Sequence, residues 1–469
     1  MVWNNWSKQF KANPVGHYFP SNVDEISQVM IDAVSNGIGE VRAVGQSHSL
    51  SSIAATDGYM VHTDNLNGIE LGPTLDSGKY GFLNYTVRCQ AGVNVETVNN
   101  FLEQHGLTIG SNIVLTCVRV GGIVSTGSHG TSINYSTISD RVYEIRIVDS
   151  NGNLRTYNED TTDPQVMSAA KVSLGTFGIV YDVVLRVEKA TNVHTVSRLV
   201  DYNDVFTVHN LKNLLESNEW LEFYLFPFSD KVLTKQSNRT NQTISWLQAK
   251  LLYIKYIITS LISLILATIS NIVFQAFPSA LHYSGRNNFI YFFPFERVQS
   301  LRYAVHYSTF IDYSLPVYNP ECTVGFNNNK QGYQKVIDCV NTIIEMNNSY
   351  YKRGLAPNIL GINIRFTAPS SCLISPANID ADYILWIETI IGPKSLGMDS
   401  YCNEFNQRMI YDYQGHVHWA KSWHSTHTSD ITLGIKPKLQ QFLRIRDELE
   451  VDPHNLFMNP ILRSIFGVE

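Results

Sequence analysis

The chain is predicted to fold as two domains of mixed α+β structure. Three observations lead there: a length of 469 residues, three glycine-rich loops between strand-like and helix-like stretches in the N-terminal part, and a change near Val193 to longer aromatic-rich segments. A chain of this length has ample material for large cores and ordinarily divides into two or three domains.

Composition narrows the function. Lysine and arginine together number 35 against 41 acidic residues, and a net charge of −6 with no basic run argues against capture of nucleic acid. Small ligands are the expected partners. Cys89, Cys117, Cys322, Cys339, Cys372 and Cys402 lie far apart with no Cys-x-x-Cys, so they read as packing residues or isolated thiols. The opening Met-Val-Trp-Asn-Asn-Trp-Ser-Lys-Gln has no apolar core followed by small cleavage residues. No cleaved signal peptide is expected, and the location reads as membrane-associated or cytoplasmic.

In chain order, Ser21 followed by Asp24 resembles a capping box, and Ile26, Val29, Met30, Ala33 and Val34 recur at helical spacing up to Gly37. The next stretch, Val41 to Ile53, organises the rest. Val41 to Val44 has strand character, and Gly45 can take a positive φ that re-aims the chain. The amides of Gln46, Ser47, His48 and Ser49 can then converge on an anion such as phosphate. Strands are expected at Tyr59 to His62 and Tyr85 to Gln90. Asn94 caps a helix carrying Val95, Val98, Phe101 and Leu102 on one face and closed by Gly106.

The second loop runs from Val120 to Ser132. Gly121, Gly122, Gly127 and Gly130 allow close backbone approach to a bulky flat ligand, and the hydroxyls of Ser125, Thr126, Ser128 and Thr131 can cap phosphate or ring carbonyl oxygens. The third, Ser173 to Arg186, is a glycine-bounded turn into a β-branched strand. Beyond Val193, strands are expected at Gly361 to Phe366 and Asp382 to Ile391, with helices at Val336 to Met346 and Leu439 to Leu449.

Leu251 to Phe277 is apolar apart from Lys255 and long enough to cross a bilayer. A single crossing would put the N-terminal loops and the C-terminal motifs on opposite sides. A helix or hairpin lying in the membrane surface, or a buried helix pair, avoids that conflict.

Most familiar signatures are missing: no Gly-x-Gly-x-x-Gly after a strand, no Walker loop and no His-Glu-x-x-His. Gly45 to Ser49 lacks the final glycine of a hydrolase elbow. His416, His418, His424 and His427 cluster in sequence, yet no helix places them on one face and no carboxylate sits at ligand spacing, so no metal site is expected. Singly, Arg365 and Lys421 are unremarkable cations.

As an ordered set, the three loops, Asn363-Ile-Arg365, His418-Trp-Ala-Lys421 and the closing Asp452-Pro453…Phe457…Asn459 resemble the aldonolactone oxidoreductases of the vanillyl-alcohol-oxidase (PCMH-type FAD-binding) flavoprotein family. That group includes L-gulonolactone oxidase, D-arabinono-1,4-lactone oxidase and bacterial alditol oxidases. The resemblance implies an FAD-binding α+β domain over 1–190 and a substrate or cap domain over 191–430, built on a large antiparallel sheet flanked by helices. Residues 431–469 would return to the FAD domain.

FAD would rest its pyrophosphate on Val44, Gly45, Gln46, Ser47, His48 and Ser49, with His48 tethering the flavin covalently. Gly121, Gly122, Ser125, Thr126, Gly127, Ser128, His129, Gly130 and Thr131 would contact the flavin, and Gly175, Gly178, Ile179 and Val180 the adenosine half. No cysteine occurs from Gly121 to Ser132, against a second tether.

The reaction implied is oxidation of a CH–OH group of a sugar-1,4-lactone, with hydride passing to the flavin and reoxidation by O2 to give H2O2. Lys421, which would also face the flavin, and Arg365 would stabilise the developing alkoxide and the reduced flavin, with His418 orienting them. Two departures stand out. Asn363 occupies the place of a family glutamate, and an amide cannot accept a proton at neutral pH; His416-Val417 replaces Arg-Pro. The alternatives are an alditol oxidase or a dehydrogenase with another acceptor and, outside enzymes, a flavin-binding membrane-associated protein whose catalytic pair has decayed.

Overall fold

A computed structural model describes residues 2–225, 229–245, 295–305, 317–355, 361–392 and 395–468, with scattered positions between 247 and 265. The aromatic-rich segment Phe289 to Pro294, one of those beyond Val193, and most of Leu251 to Phe277 lie outside the described residues.

Among the described residues the N-terminal part holds three sheets, the smallest an antiparallel pair of Trp3–Asn4 with Lys11–Ala12. A parallel sheet has Tyr59–His62 at its centre, flanked by Gly16–Tyr18 and Val41–Val44. An antiparallel sheet runs in the order Leu154–Asn158, Val142–Val148, Ile179–Lys189, Tyr85–Gln90, Ile69–Leu71, with Leu107–Thr108 added beside Ile179–Lys189. The β-branched run after Gly178 forms that long central strand, as expected. The first helix spans Val23–Ser35, but its cap is Asn22, whose side chain accepts from the Glu25 amide. Ser21 instead hydrogen-bonds the Glu25 carboxylate, so the box closes one residue later than the sequence suggests. Asn94 caps Val95–Gln104 as expected.

The C-terminal part is built on one antiparallel sheet of eight strands. Its order is Phe295–Ser300, Asn192–Asp201, Lys231–Thr240, Trp220–Leu225, Gly361–Thr367, Tyr383–Ile390, Glu321–Phe326, His416–Val417. Cross-strand register sorts its residues into rows. One row, Phe223, Ile364, Ile387 and Cys322, is fully buried in the main core, which also takes Val336, Ile337 and Val340 of the helix Lys330–Lys352. Alternate residues point to the opposite face. There the neighbouring rows are polar: Tyr224, Asn363, Glu388 and Glu321 stand directly opposite one another, and Glu222 stands opposite Arg365.

The tail is stitched to the front of the chain. Arg42, in the strand leading to the first loop, is buried and gives its guanidinium hydrogens to the carbonyls of Ile53, Leu174 and Phe457. Arg446 pairs with Asp452 and donates to Thr176 O at 3.0 Å. Asn459 caps the helix Pro460–Phe466 and donates to Ser52 O (3.0 Å) and Ala55 O (2.9 Å).

Replacing Asn459 by alanine removes a helix cap and strands buried carbonyls, which should cost ~2–4 kcal/mol. The check is the denaturant midpoint of the Asn459→Ala variant; an unchanged midpoint would show that water replaces these bonds.

Candidate active site

The loop after Val41–Val44 is shaped by a residue that the sequence offered only as an anion-binding amide. Ser47, not Gly45, takes the positive φ, at 59°. Trp3 Nε1 donates to its hydroxyl (3.0 Å) and the Trp6 amide to its carbonyl (2.7 Å), and these bonds hold the unfavourable conformation. Gly45 is needed for space: an added Cβ would stand 2.7 Å from Cγ of Arg119. No protein acceptor engages the amides of Gln46, Ser47, His48 and Ser49 among the described residues, so they remain available for an anion.

Trp6 stacks on His48 with ring centroids 4.7 Å apart. Burial pushes the His48 pKa down to about 4, so the imidazole is neutral at physiological pH. Its Nε2 lies 3.2 Å from Sγ of Cys117, a residue the sequence gave no role.

This loop forms one end of a cavity of about 350 Å³. The polar face of the eight-stranded sheet forms the other: Tyr224, Glu321, Asn363, Arg365 and Glu388 line it, joined by His418 and Lys421 from the loop after His416–Val417. The cations are not free. Arg365 Nη2 lies 2.7 Å from Glu321 Oε1 and 3.2 Å from Glu388 Oε2. The Lys421 ammonium hydrogen-bonds Glu388 Oε1 and stands 3.3 Å from Glu321 Oε2.

Burial alone would raise the Glu321 pKa, but Lys421, Arg365 and His129 outweigh it and hold that carboxyl well below its ordinary value. For Lys421 burial works against the charge, and the two carboxylates more than restore it, so its pKa is raised. His418 is pushed down to about 3 and His129 to about 4, in both cases first by burial.

His129 brings the second loop into this cluster. Its Nε2 meets Glu321 Oε1 at 3.0 Å, and its ring stacks on Trp386 with centroids 3.4 Å apart. His129, Glu321 and His418 offer three ligand atoms within 4.8 Å of one another. Arg365 and Lys421 already occupy the Glu321 carboxylate, so a metal cation there would meet two fixed positive charges. The four histidines of 416–427 do not converge: His416 Nδ1 faces Pro376 O, and His424 approaches Asp399.

Most of the site residues expected from sequence line the cavity: Val44 to Ser49, Gly121, Gly122, Ser125, Thr126, Ser128, His129, Gly175, Gly178, Val180, Asn363, Arg365, His418 and Lys421. Four expected residues do not. Gly127 packs near Ser375 and Pro376, and Gly130 against the Asn112 carbonyl. Thr131 donates to Leu221 O, and Ile179 is core. Val120–Ser125 is a short helix, and beyond it Thr126, Ser128 and His129 face the cavity while Gly127, Gly130 and Thr131 do not. Sequence reading missed Glu321, Glu388, Tyr224 and Asn319. The available signal was an acid set inside an apolar strand, as in Tyr383-Ile-Leu-Trp-Ile-Glu-Thr-Ile.

The cavity suits a flavin nucleotide. Unengaged amides offer an anion seat at one end, Gly122 would leave an added Cβ in open space, and the aromatic pair Trp6–His48 forms part of the wall. At the other end Asn363 Oδ1, Arg365 Nε and Asn319 Oδ1 are buried without hydrogen-bond partners, which points to a polar ligand between them.

Comparison with known proteins agrees. Residues 183–465 match the D-arabinono-1,4-lactone oxidase family, and residues 14–158 match an FAD binding domain. The chain is 26% identical to a Mycobacterium tuberculosis protein named L-gulono-1,4-lactone dehydrogenase, over 99% of each chain. It is 25% identical to L-gulonolactone oxidase of Scyliorhinus torazame, covering 99% of this chain and 98% of that one. Among solved structures, cholesterol oxidase from B. sterolicum superposes with a TM-score of 0.78 at 16% identity, covering 99% of this chain and 96% of that one. The fold is of the vanillyl-alcohol-oxidase type, as the sequence led one to expect.

Glu321→Gln should destabilise the protein by ~3–5 kcal/mol, because it leaves Arg365 and Lys421 short of a counter-charge. The Glu321 pKa is depressed on folding, so its stabilisation is present above the unfolded value of about 4.3 and is lost as pH falls through the lower folded value. The gap between variant and parent in urea titrations should therefore hold from neutral pH down to about pH 4 and narrow only below it. A gap constant into strong acid would contradict the ionised assignment.

Proposed function

This chain belongs to the D-arabinono-1,4-lactone oxidase family, and from that premise we propose that it oxidises a sugar-1,4-lactone of the L-gulono-, L-galactono- or D-arabinono- type at a CH–OH carbon. The product would be of the ascorbate or erythroascorbate type. FAD, when bound, supplies the hydride acceptor, and oxygen is proposed to reoxidise it to give H2O2. The observation that carries this reading is that one cavity joins the His48 loop to the cluster around Arg365 and Lys421. Residues 1–190 are read as the FAD-binding domain, 191–430 as the substrate domain and 431–469 as the returning segment.

Within that frame the chain's own residues take these parts. The amides of Gln46 to Ser49 hold the pyrophosphate, and Gly121, Gly122, Ser125, Thr126 and Ser128 approach the flavin. The neutral His48 offers a nucleophilic ring nitrogen for a covalent tether. Arg365 and Lys421 stabilise negative charge as the substrate oxygen loses its proton. His418, neutral and buried, orients the lactone, and Asn363 Oδ1 accepts a hydrogen bond from one of its hydroxyls. The relatives reported above are named for lactones, which does not favour the alditol and decayed readings.

We also propose association with a membrane surface. No helix among the described residues is long and apolar enough to cross a membrane. Yet Leu251, Ile254, Ile257, Ile258, Leu261, Ile262 and Ile265 are all exposed at helical positions. Apolar side chains gathered on one segment suit the headgroup boundary of a bilayer.

Two experiments test these readings. Anaerobic addition of an aldonolactone should bleach the flavin, and air should restore it with H2O2. Restoration only by another acceptor would replace the oxidase by a dehydrogenase, and no bleaching across an aldonolactone panel would remove the lactone reading. In the same preparations acid-precipitated protein should stay yellow, and His48→Ala should release the colour. For the membrane, the protein should float with phosphatidylcholine–phosphatidylserine vesicles, and serine at Leu251, Ile254 and Ile258 should leave it in the soluble fraction. Equal flotation of both would sink that proposal.

A further inference from the structure

Oxidising a CH–OH group to C=O removes a hydride from carbon and a proton from oxygen, so the cavity needs a proton acceptor beside its hydride acceptor. We propose that Glu388 is that acceptor, taking the hydroxyl proton that Asn363, directly across the strand pair, cannot take. This rests on the lactone reading above and names the acid–base residue of the same site.

Elimination leads to Glu388. Among the described residues, Glu321 and Glu388 are the carboxylates lining the cavity. Glu321 has Oε1 occupied by both His129 and Arg365, and although its Oε2 makes no hydrogen bond and faces the Lys421 ammonium at 3.3 Å, the three neighbouring cationic and imidazole groups hold it strongly in its anionic form. Glu222, whose carboxyl is raised by burial, sits behind Tyr224 and Asn363 and lines a separate small cavity with Lys235. His129 has an acceptor facing each ring nitrogen, and His418 is too weakly basic.

Position supports the choice. Asn363 and Glu388 are paired residues on adjacent antiparallel strands, which sets their Cβ atoms ~5 Å apart on one face. A carboxylate shifted by one strand therefore addresses the same pocket. Asn363 turns its Nδ2 toward Tyr224 Oη (3.2 Å), leaving its Oδ1 as a hydrogen-bond acceptor only. Asn319 Nδ2 (2.8 Å) and Lys421 hold Glu388 Oε1 in place, while Oε2 has Arg365 at 3.2 Å and a second lone pair to spare.

Charge balance gives the second argument. At rest Arg365 and Lys421 are matched by Glu321 and Glu388, so the cluster is neutral. The hydride carries two electrons and one negative charge toward the flavin. The proton neutralises Glu388 and leaves the cluster with one net positive charge beside it. No unbalanced charge is created in the buried site. The proton leaves again when the electrons pass to the acceptor.

The test compares the parent, Glu388→Gln, and the exchanged pair Asn363→Glu with Glu388→Gln. Anaerobic flavin reduction by lactone is followed across pH, and difference infrared spectra are recorded on reduction. Glu388→Gln should keep its flavin and its lactone-induced spectral shift, slow reduction by ~10²–10⁴-fold, lose the acid limb of the pH profile and lose the infrared carbonyl band of a protonated carboxyl. The exchanged pair should recover at least a tenth of the parent rate. Near-parental reduction by Glu388→Gln, an unaltered pH profile, or no recovery in the exchanged pair would overturn the assignment while leaving the lactone reading intact. A parent that no lactone reduces overturns both.

Discussion

The buried quartet of Arg365, Lys421, Glu321 and Glu388 is the constraint on which the C-terminal half depends. A lone ion in this environment costs several kcal/mol, and truncating one member of a paired set leaves its partner uncompensated. The set is tolerable only when closed, and closure requires three neighbouring strands in one register plus the loop carrying Lys421. Sheet side chains alternate with a period of two, so a slip of one residue would drive the three strand-borne groups, Glu321, Arg365 and Glu388, into the core and turn Ile364, Ile387 and Cys322 toward the cavity. Electrostatics and hydrophobic burial therefore select the same register.

That interplay also explains what could be read from the sequence. The glycine loops, the helix cap at Asn94 and the strand around Arg365 announce themselves locally, because turn chemistry and periodicity are short-range properties. The cap at Asn22 and the positive φ at Ser47 were displaced by a residue or two, since the partners that decide them are Glu25 in one case and, in the other, the Trp3 side chain and the Trp6 amide. Glu321 and Glu388 were invisible for a different reason. Each is a single acid in an apolar strand, separated in sequence by 67 positions and joined only through strand pairing. Arg365 and Lys421 looked like ordinary surface cations for the same reason.

The neutral state of the histidines follows first from burial. His129 and His418 are buried beside two fixed cations, so a further proton is unfavourable on either ring. His129 instead fixes orientation: it is clamped between Gly130 O and Glu321 and laid flat on Trp386. A loop expected to serve the cofactor thus also supports the charged end of the cavity, and Thr131, expected at the flavin, donates to the backbone of Leu221.

The two ends of the cavity are tied together without passing through the cavity itself. The Leu50 amide donates to Ala420 O and the Ser51 hydroxyl to Trp419 O, both at 2.8 Å, so the His48 loop and the Lys421 loop are bonded neighbours. On its other side the Lys421 loop is held by Asn319: Ser422 N donates to Asn319 O, Asn319 N donates to Ser422 Oγ, and Asn319 Nδ2 reaches Glu388. Hydride transfer falls off steeply when donor and acceptor are misplaced by about 1 Å. A chain that draws its anchor from the first 50 residues and its cations from positions 365 and 421 meets that tolerance by hydrogen-bonding the segments to one another. The spacing between His48 and the charge cluster is then a property of the backbone, set before any ligand arrives.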